Sequence, residues 1–227
     1  MSKLAKEYGD KLAVTFEVDG SEVKLTPAIV QDYIVGTDTN ITVQEYKFFV
    51  ELCKQRKLNP FLKEAYLIKY SERQPAQIVV GKDAIVKRAV KHPMFNGREQ
   101  GIIVLNDTTG EFTYRKGTFK LSAEQVVGGW AKVFRKDWEY PVEISVSFDE
   151  VAQRKGDGVL NANWKSKGAT MVEKVALVRA LREAFVEDLA GMYDKDEAWN
   201  EKELGNDKII IEQEDIIETE EALEVEE

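Results

Sequence analysis

The fold is decided by residues 101–148, which read GIIVLNDTTGEFTYRKGTFKLSAEQVVGGWAKVFRKDWEYPVEISVSF. Four stretches of this segment are rich in β-branched and aromatic residues, as strands are: GIIVLN, EFTYRKGTF, GGWAKVFR and YPVEISVSF. Asn106 to Gly110 form a polar turn, which predicts a hairpin between the first two stretches. The segment therefore predicts an antiparallel meander.

Turn and capping signals predict further elements before this segment. Thr42 followed by Glu45 is a capping box, which marks the start of a helix. Asn59-Pro60 ends that helix, because the residue before a proline disfavours the α conformation. The predicted elements are a hairpin in 16–25, a short helix in 27–35, a helix in 42–57, a hairpin in 65–81, a helix in 82–91 and a loop in 94–98.

After the meander, a loop rich in Gly and Asn (156–163) precedes a long helix over about 169–193. This order predicts an α+β fold, with an antiparallel β-sheet (hairpin plus meander) packed against helices. We predict three parts along the chain. They are an N-terminal strand and helix segment that is a candidate subunit contact (1–41), a core (42–198) and an acidic tail that is disordered when free (199–227).

Composition predicts the cellular setting. The chain starts without an apolar signal core and has no apolar run of about 18 residues, the length that a transmembrane helix needs. Its one cysteine, Cys53, excludes an internal disulfide, and its helical pattern predicts a buried structural thiol. We therefore expect a protein of the cytoplasm without a membrane partner.

The net charge of −9 hides an asymmetry along the chain. Residues 194–227 contain 15 acidic residues and 3 lysines, whereas the preceding residues carry a net charge of +3. Residues 82–182 alone carry 18 basic and 12 acidic residues. A basic body with an acidic tail is typical of proteins that meet polyanions, and a neutral body with a solubilising tail is the alternative.

The sequence lacks the usual signatures of catalysis. The single histidine, His92, has neither cysteine partners for a zinc site nor a companion for nucleophilic catalysis. Lys82 follows a glycine, but the remainder of a phosphate-binding loop is missing. Asp10, together with Glu22 and Lys24, resembles the pattern of an acidic residue followed by Glu-x-Lys that is found in nuclease sites. We therefore expect no catalytic residue, metal or cofactor, and a magnesium-dependent nuclease is the alternative.

Basic and aromatic residues alternate on the predicted strands. Side chains of a strand point alternately to its two faces, so Trp130, Lys132, Phe134 and Lys136 share one face and Arg135 lies on the other. In proteins that bind single strands, basic side chains contact phosphates and aromatic rings stack on nucleobases. The alternative is that the aromatic residues belong to the core and the basic residues border a solvated sheet.

Positive charge lies at the apolar face of the predicted long helix. At 100° per residue, Lys167, Lys174 and Arg182 project on the same side as the apolar residues, and Arg179 lies nearer the boundary. Such a charge is either paired with a carboxylate or directed into a groove that receives an anion. The sequence leaves both alternatives open.

Several segments together resemble the RecT/Redβ (Bet) family of phage annealing proteins. They are NPF (59–61), AYLIKY (65–70), IVVGKDAIVKRA (78–89), HPMFNGRE (92–99), WAKVFRKDWEYPVEISVSFDE (130–150) and WKSKGATMVEKVALVRALREAFVEDLAGMYDKDEA (164–198). The last segment is the most specific. Gly168 and Val186 stand where relatives commonly have proline, but neither departure removes a charged group.

The resemblance implies a non-enzymatic protein that pairs complementary DNA strands without ATP or metal. It implies a ring or helical filament in which a single strand lies in a narrow basic groove and then accepts its complement as a duplex intermediate. It also implies a partner 5′–3′ exonuclease, with a host single-strand binding protein as a further candidate partner. The expected DNA-binding residues are Lys82, Arg88, Arg98, Lys132, Arg135, Lys165, Lys167, Lys174, Arg179 and Arg182, and the base-stacking candidates are Tyr114, Trp130, Phe134 and Trp164.

Two questions stay open at the level of sequence. The acidic tail either docks a partner protein or competes with DNA for the groove, and a chain cut after Tyr193 would separate these two roles. A third class of function is an interaction protein that uses the sheet and the tail for protein contacts alone. It predicts that charge reversal at Lys174 and Arg182 leaves DNA binding intact.

Overall fold

The computed structural model describes residues 9, 11–35, 39–69 and 71–194. Its strands are β1 (Val14–Val18), β2 (Ser21–Leu25), β3 (Ala65–Ile68), β4 (Gln77–Val80), β5 (Phe95–Asn106), β6 (Phe112–Lys116), β7 (Glu124–Arg135) and β8 (Val142–Ser147). Its helices are α1 (Pro27–Ile29, continued by a π-helical turn, Val30–Ile34), α2 (Val43–Gln55), α3 (Lys82–Lys91), α4 (Phe148–Val151), α5 (Ala162–Ala184) and α6 (Val186–Leu189). None of the helices within these ranges is long and apolar enough to cross a membrane.

Four strands form the main antiparallel sheet, in the order β6-β5-β7-β8. The predicted α+β class is confirmed, and so are the hairpins β1–β2 and β3–β4. The strand order departs from the predicted meander, because β5 lies between β6 and β7. β6 is exposed along most of its length, which suits an edge strand, whereas β5 buries Ile102 and Val104 and suits a central position.

β5 starts earlier than the sequence predicts. Residues 95–98, predicted as part of a loop, pair with Val133 and Arg135 of β7. The pairing is interrupted by a bulge, where Gly97 has a φ of 106° that other residues rarely adopt. The glycine that suggested a loop therefore marks a bulge inside a strand.

α5 is the central helix of the core and is buried on nearly all sides between residues 171 and 185. One side of it packs on β5, β7 and β8, and another packs on α3. Gly129 allows the sheet to approach closely, because a Cβ at this position would lie 2.4 Å from the carbonyl oxygen of Val172. The main sheet, α5 and the layer that contains α3 therefore share one hydrophobic core.

The predicted long helix is confirmed in part, with different ends. The Asn161 side chain accepts a 2.9 Å hydrogen bond from the Trp164 backbone N–H and starts α5 earlier than predicted. Lys167 has non-helical dihedral angles and kinks the helix. Gly168 follows the kink, where a Cβ would lie 2.7 Å from the Phe148 ring. At the other end, Phe185 (φ −132°, ψ 51°) separates α5 from α6.

α2 confirms two predictions. The Thr42 backbone N–H donates to Glu45 Oε2 (2.7 Å) and the Glu45 N–H donates to Thr42 Oγ1 (3.1 Å), which completes the capping box. On the inner side of the helix, Cys53 is fully buried, and burial raises the pKa of its thiol to about 12. Cys53 is therefore a structural thiol.

Candidate nucleic-acid interface

The main sheet has one face covered by α5 and one open face. Gly129 faces α5, so its neighbour Trp130 points away from the helix. Lys132, two residues further on, also points away and lies opposite Glu143 of β8. The structure thus places Trp130, Lys132 and Phe134 on one face, as predicted. The open face includes Glu99, Ile103, Leu105, Phe112, Tyr114, Lys116, Trp130, Lys132, Phe134, Glu143 and Ser145.

The aromatic residues of the open face differ in their access to a ligand. Tyr114 is 57% exposed, and the centroid of its ring lies 6.1 Å from that of Trp130. Trp130 itself is only 5% exposed, and its Nε1 donates a 3.1 Å hydrogen bond to the Arg115 carbonyl. Phe134 is half-buried. Trp130 therefore supports Tyr114 from behind, and the accessible rings of this face are those of Tyr114 and Phe112, which is 65% exposed.

The charged residues of the open face neutralise one another. Lys132 Nζ lies 3.0 Å from Glu143 Oε2 on the neighbouring strand. Lys116 at the end of β6 pairs with Glu99 of β5 in the same way. Because each lysine is balanced by a glutamate, the sheet face offers aromatic contacts without a net positive charge.

A group of exposed cations lies at the amino-terminal end of α5. Lys165 and Lys167 are exposed and have no ion-pair or hydrogen-bond partner for their ammonium groups within the described part of the chain. Lys155, in the loop before the helix, is exposed in the same way. Arg98 on β5 is a further exposed cation without such a partner among the described residues. These side chains are available to phosphate groups.

Arg135, predicted to bind DNA, is an internal contact in the structure. It lies on the covered side of the sheet, as predicted from strand alternation, and its side chain is only 9% exposed. Its guanidinium donates to the Ala184 carbonyl (2.5 Å), to Glu187 (2.8 Å) and to Asp137 (2.9 Å). These hydrogen bonds to the two carboxylates raise the pKa of Arg135 above its ordinary value. Arg135 therefore connects β7 to α6.

Arg88 is likewise an internal contact. It lies on α3 and donates hydrogen bonds to the carbonyl oxygens of Arg56 and Asp188. Burial lowers the pKa of its guanidinium, and the nearby Asp188 opposes this effect. Arg56 donates to the Asp188 and Ala190 carbonyls from α2. The two arginines together hold the chain that follows α5, so the hydrogen bonds of the Arg88 guanidinium are made within the chain, although Arg88 also borders a cavity beside Lys87 and Lys91.

Lys174 is paired with a carboxylate, which is one of the two alternatives that the sequence left open. Its Nζ lies 2.7 Å from Asp194 Oδ1, and both side chains are largely buried. The other carboxylate oxygen of Asp194 accepts a 3.1 Å hydrogen bond from the backbone N–H of Lys82. The Lys82 ammonium is exposed to solvent and lies 3.3 Å from Asp83.

The two arginines of α5 also contact other groups. Arg179 Nη1 lies 3.3 Å from Glu150 Oε1 on α4. Arg182 lies 4.5 Å above the Tyr193 ring. It also donates a 3.5 Å hydrogen bond to the Met192 carbonyl. In this arrangement the chain itself contacts both predicted DNA-binding arginines.

Trp164 does not fit the predicted role in base stacking. Its side chain is 1% exposed and packs edge-on against Phe148, with 5.5 Å between the ring centroids. The indole N–H is buried and has no hydrogen-bond partner among the residues that the structure describes. The helix start at Asn161 turns this ring toward the core, so a nucleobase has no access to it.

Two residues with a part in this region were missed by reasoning from the sequence. Arg56 follows a helix end and gave no signal, because its partners are backbone carbonyls more than 130 positions away. Phe112, 65% exposed, lies two residues before Tyr114 on the open face. The alternation of strand residues was a signal that would have grouped Phe112 with Tyr114.

No group of three or more His, Cys, Asp or Glu side chains suited to a metal ion occurs in the part of the chain that the structure describes. Of the candidate nuclease pattern, Glu22 and Lys24 are exposed on β2, and Asp10 lies outside the described residues. The structure thus adds no support for a metal-dependent nuclease.

The model of the RecT family matches residues 24–215, which is well over half of the chain and includes the main sheet, α3 and α5. No curated protein matches the chain.

Proposed function

Because the chain belongs to the RecT family, we propose that it binds single-stranded DNA and anneals it to a complementary strand without ATP. Proteins of this family are annealing proteins of phage recombination. The match over residues 24–215 is the observation that carries the proposal. The proposed activity needs no catalytic side chain, cofactor or metal.

The first phosphate contacts of the proposed site are Lys165 and Lys167. Both are exposed, and neither is neutralised by a carboxylate within the described residues. Each phosphate that they bind releases a condensed counterion, which favours binding at low salt. Among the acidic side chains near this end of α5, Asp149 and Glu150 pair with arginines. Asp157 and Glu173 form no ion pair among the described residues, and the three exposed lysines at 155, 165 and 167 outnumber them. The end of the helix therefore keeps a local excess of positive charge.

A row of residues across the sheet connects these cations to the exposed ring. Tyr114 pairs with Ile103, Ile103 with Gly128, and Gly128 with Ser147, so the row crosses all four strands. At strand spacings of about 4.8 Å it spans roughly 14 Å. Ser147 directly precedes Phe148, which contacts Gly168 beside the lysines. We propose that a single strand stacks on Tyr114, follows this row and reaches Lys165 and Lys167 at the sheet edge.

The energetics fit an annealing protein. Pairing of complementary strands is downhill by about 1.4 kcal/mol per base-pair step, so the protein has only to reduce repulsion and present the bases. Two unpaired lysines and the exposed rings of Tyr114 and Phe112 provide weak binding for a single subunit. Repetition of the site in a ring or filament raises the affinity through effective concentration. We therefore propose a homo-oligomer as the active form.

The partners of the proposed function are DNA and proteins of the same recombination module. The single strand and the annealed duplex intermediate are the ligands of the core. A 5′–3′ exonuclease supplies single strands, and we propose the acidic segment 199–227 as the contact for it or for a host single-strand binding protein. Its excess of carboxylates suits a basic surface on the partner.

The test is an annealing assay with two complementary oligonucleotides that carry a donor and an acceptor fluorophore. The strands are added in succession, with EDTA present and ATP absent. We expect energy transfer to develop much faster with the protein than without it, and the rate to depend steeply on protein concentration. An annealing rate equal to that of free strands would contradict the proposal.

The rival nuclease is tested on the same strands. Incubation of end-labelled DNA with the protein and Mg²⁺ leaves full-length product if the protein only anneals. Shortened products, lost in a Glu22→Gln variant, would instead support the metal-dependent nuclease.

A further inference from the structure

The last residues that the structure describes, Met192 to Asp194, lie as a strap between α5 and the layer of α3 and β4. The Tyr193 carbonyl accepts a 2.9 Å hydrogen bond from the Val80 N–H of β4. Met192 is 1% exposed. The strap leads directly into the most acidic part of the chain, since residues 194–227 carry a net charge of −12.

At the end of this strap, the Asp194 carboxylate fills a pocket that is built for an anion. One oxygen lies 2.7 Å from Lys174 Nζ, and the other accepts a 3.1 Å hydrogen bond from the Lys82 N–H at the first turn of α3. The N-cap residue of α3 is Gly81, which has no side chain to cap the helix. Asp194 supplies the missing anionic cap from 112 positions further along the chain.

The chemistry of this pocket is that of a phosphate site. The amino end of a helix presents backbone N–H groups and the positive end of the helix dipole, and both favour an anion. An adjacent lysine ammonium adds a full positive charge. A carboxylate and a phosphodiester are both single negative charges with oxygen acceptors, so one is able to replace the other.

The pocket also continues the proposed DNA path. Lys174 follows Lys167 by seven residues, which is two helical turns, or roughly 10 Å along the axis. The kink at Lys167 lies between them, so the two lysines are related by their separation along the helix and not by a shared face. Arg182, two further turns along, is covered by Tyr193 of the same strap.

We propose that this pocket is a phosphodiester-binding position that Asp194 occupies as an internal substitute, so that the C-terminal segment competes with DNA for it. The inference rests on the proposed function. A DNA phosphate that displaces Asp194 gains Lys174 and the amino end of α3, and release of the strap uncovers Arg182. In a single subunit, Asp194 competes with the DNA strand and lowers the affinity of that subunit for DNA. A strand that neighbouring subunits also hold stays close to the pocket and therefore displaces the strap.

The test compares the full-length protein with two variants that remove one negative charge each. Asp194→Asn keeps an acceptor for the Lys82 N–H but loses the carboxylate. Asp32→Asn is the matched control, because Asp32 is exposed and has no ion-pair partner among the described residues. Binding of a fluorescein-labelled oligo-dT strand is measured by anisotropy over a range of salt concentrations, and circular dichroism verifies the fold.

We expect Asp194→Asn to bind several-fold more tightly than the wild type. We also expect the slope of log affinity against log salt to steepen by about 0.7, the value for one added phosphate contact on a single strand. The control keeps the wild-type slope. Addition of Lys174→Met to Asp194→Asn abolishes the gain, which separates specific competition from a general change of charge.

Three results would overturn the inference in different ways. If the wild type binds the strand and Asp194→Asn behaves like Asp32→Asn, the competition is absent and the proposed function stands. If no form of the protein binds the strand, the proposed function fails together with the inference. A loss of binding by a folded Asp194→Asn protein would show that Asp194 is a support of the site and not a competitor.

Discussion

Arg135 on β7 donates a 2.8 Å hydrogen bond to the carboxylate of Glu187 on α6. The same guanidinium lies 4.7 Å above the Trp138 ring and 5.1 Å from the Phe185 ring. A side chain with these contacts stabilises the junction between the sheet and the end of the helical layer. Arg135 was predicted from the sequence to bind DNA. In the structure its positive charge is instead paired with carboxylates of the chain itself.

We expect Arg135→Met to destabilise the fold without a specific effect on DNA. Loss of the charged hydrogen bonds costs on the order of 2–3 kcal/mol and leaves Glu187 and Asp137 without their main partner. The measurement is the midpoint of thermal unfolding, followed by DNA binding at a temperature where the variant is folded. Lys136→Met is the control, since Lys136 is exposed and its ammonium, among the described residues, donates only to the Pro93 carbonyl. A stable variant with weakened DNA binding would contradict this assignment.

The double variant Lys165→Gln/Lys167→Gln tests the proposed phosphate contacts. Removal of two phosphate contacts is expected to weaken binding of a single strand and to flatten the salt slope by about 1.4. The unfolding midpoint stays near that of the wild type, because both side chains are exposed. Lys24→Gln/Lys47→Gln removes the same charge from β2 and α2 and is expected to leave the slope unchanged. Equal slopes in the two double variants would rule out the site at the start of α5.

Tyr114→Leu tests the role of the accessible ring. Stacking on a nucleobase contributes about 1–3 kcal/mol, so the substitution is expected to weaken binding by fivefold or more, with little change in the salt slope. Titrations of labelled oligo-dT and of an abasic strand of equal length measure the effect. The abasic strand is expected to bind both proteins alike. Tyr33→Leu serves as the reference, because Tyr33 is 83% exposed on a different element. If both substitutions have the same effect, Tyr114 does not stack on DNA.

Gly129→Ala tests the close packing of α5 on the sheet. The added Cβ would lie 2.4 Å from the Val172 carbonyl oxygen, so the helix has to shift. We expect a loss of about 1–3 kcal/mol in the free energy of unfolding, as for other overpacked cores. Denaturant unfolding measures it, and Gly156→Ala, whose Cβ meets nothing within 4 Å, is the reference. Stability equal to that of the reference would show that the two layers are less tightly packed than described.

Local signals predicted most of the elements correctly. The capping box of Thr42 and Glu45, the hairpin in 16–25 and the strand pattern of residues 128–135 depend on neighbouring residues, and each has the expected structure. The errors arose where a local signal had two meanings. Gly97 was consistent with a loop or a bulge, and the sequence contains no information on which strand will pair with β7.

The candidate site was less predictable than the fold, because the sequence shows where charges are and not what they meet. Lys167 and Lys174 look alike on a helical projection. In the structure, Lys167 is exposed at a kink and Lys174 is covered by Asp194, twenty positions away. Trp130 and Trp164 have the same side chain, and both are buried by contacts that the sequence does not show. Trp130 donates a hydrogen bond to the Arg115 carbonyl, and Trp164 packs against the Phe148 ring.

The sequence by itself determined the α+β class, the family and the placement of positive charge along α5, since these depend on periodicity, motif order and composition. Only the tertiary structure decided which cations are free and which are paired. The physical reason is that pairing depends on contacts between segments far apart in the chain, as when residues 188–194 meet Arg56, Arg88 and Lys174. Such contacts follow from how the layers pack, and no local pattern of residues records them.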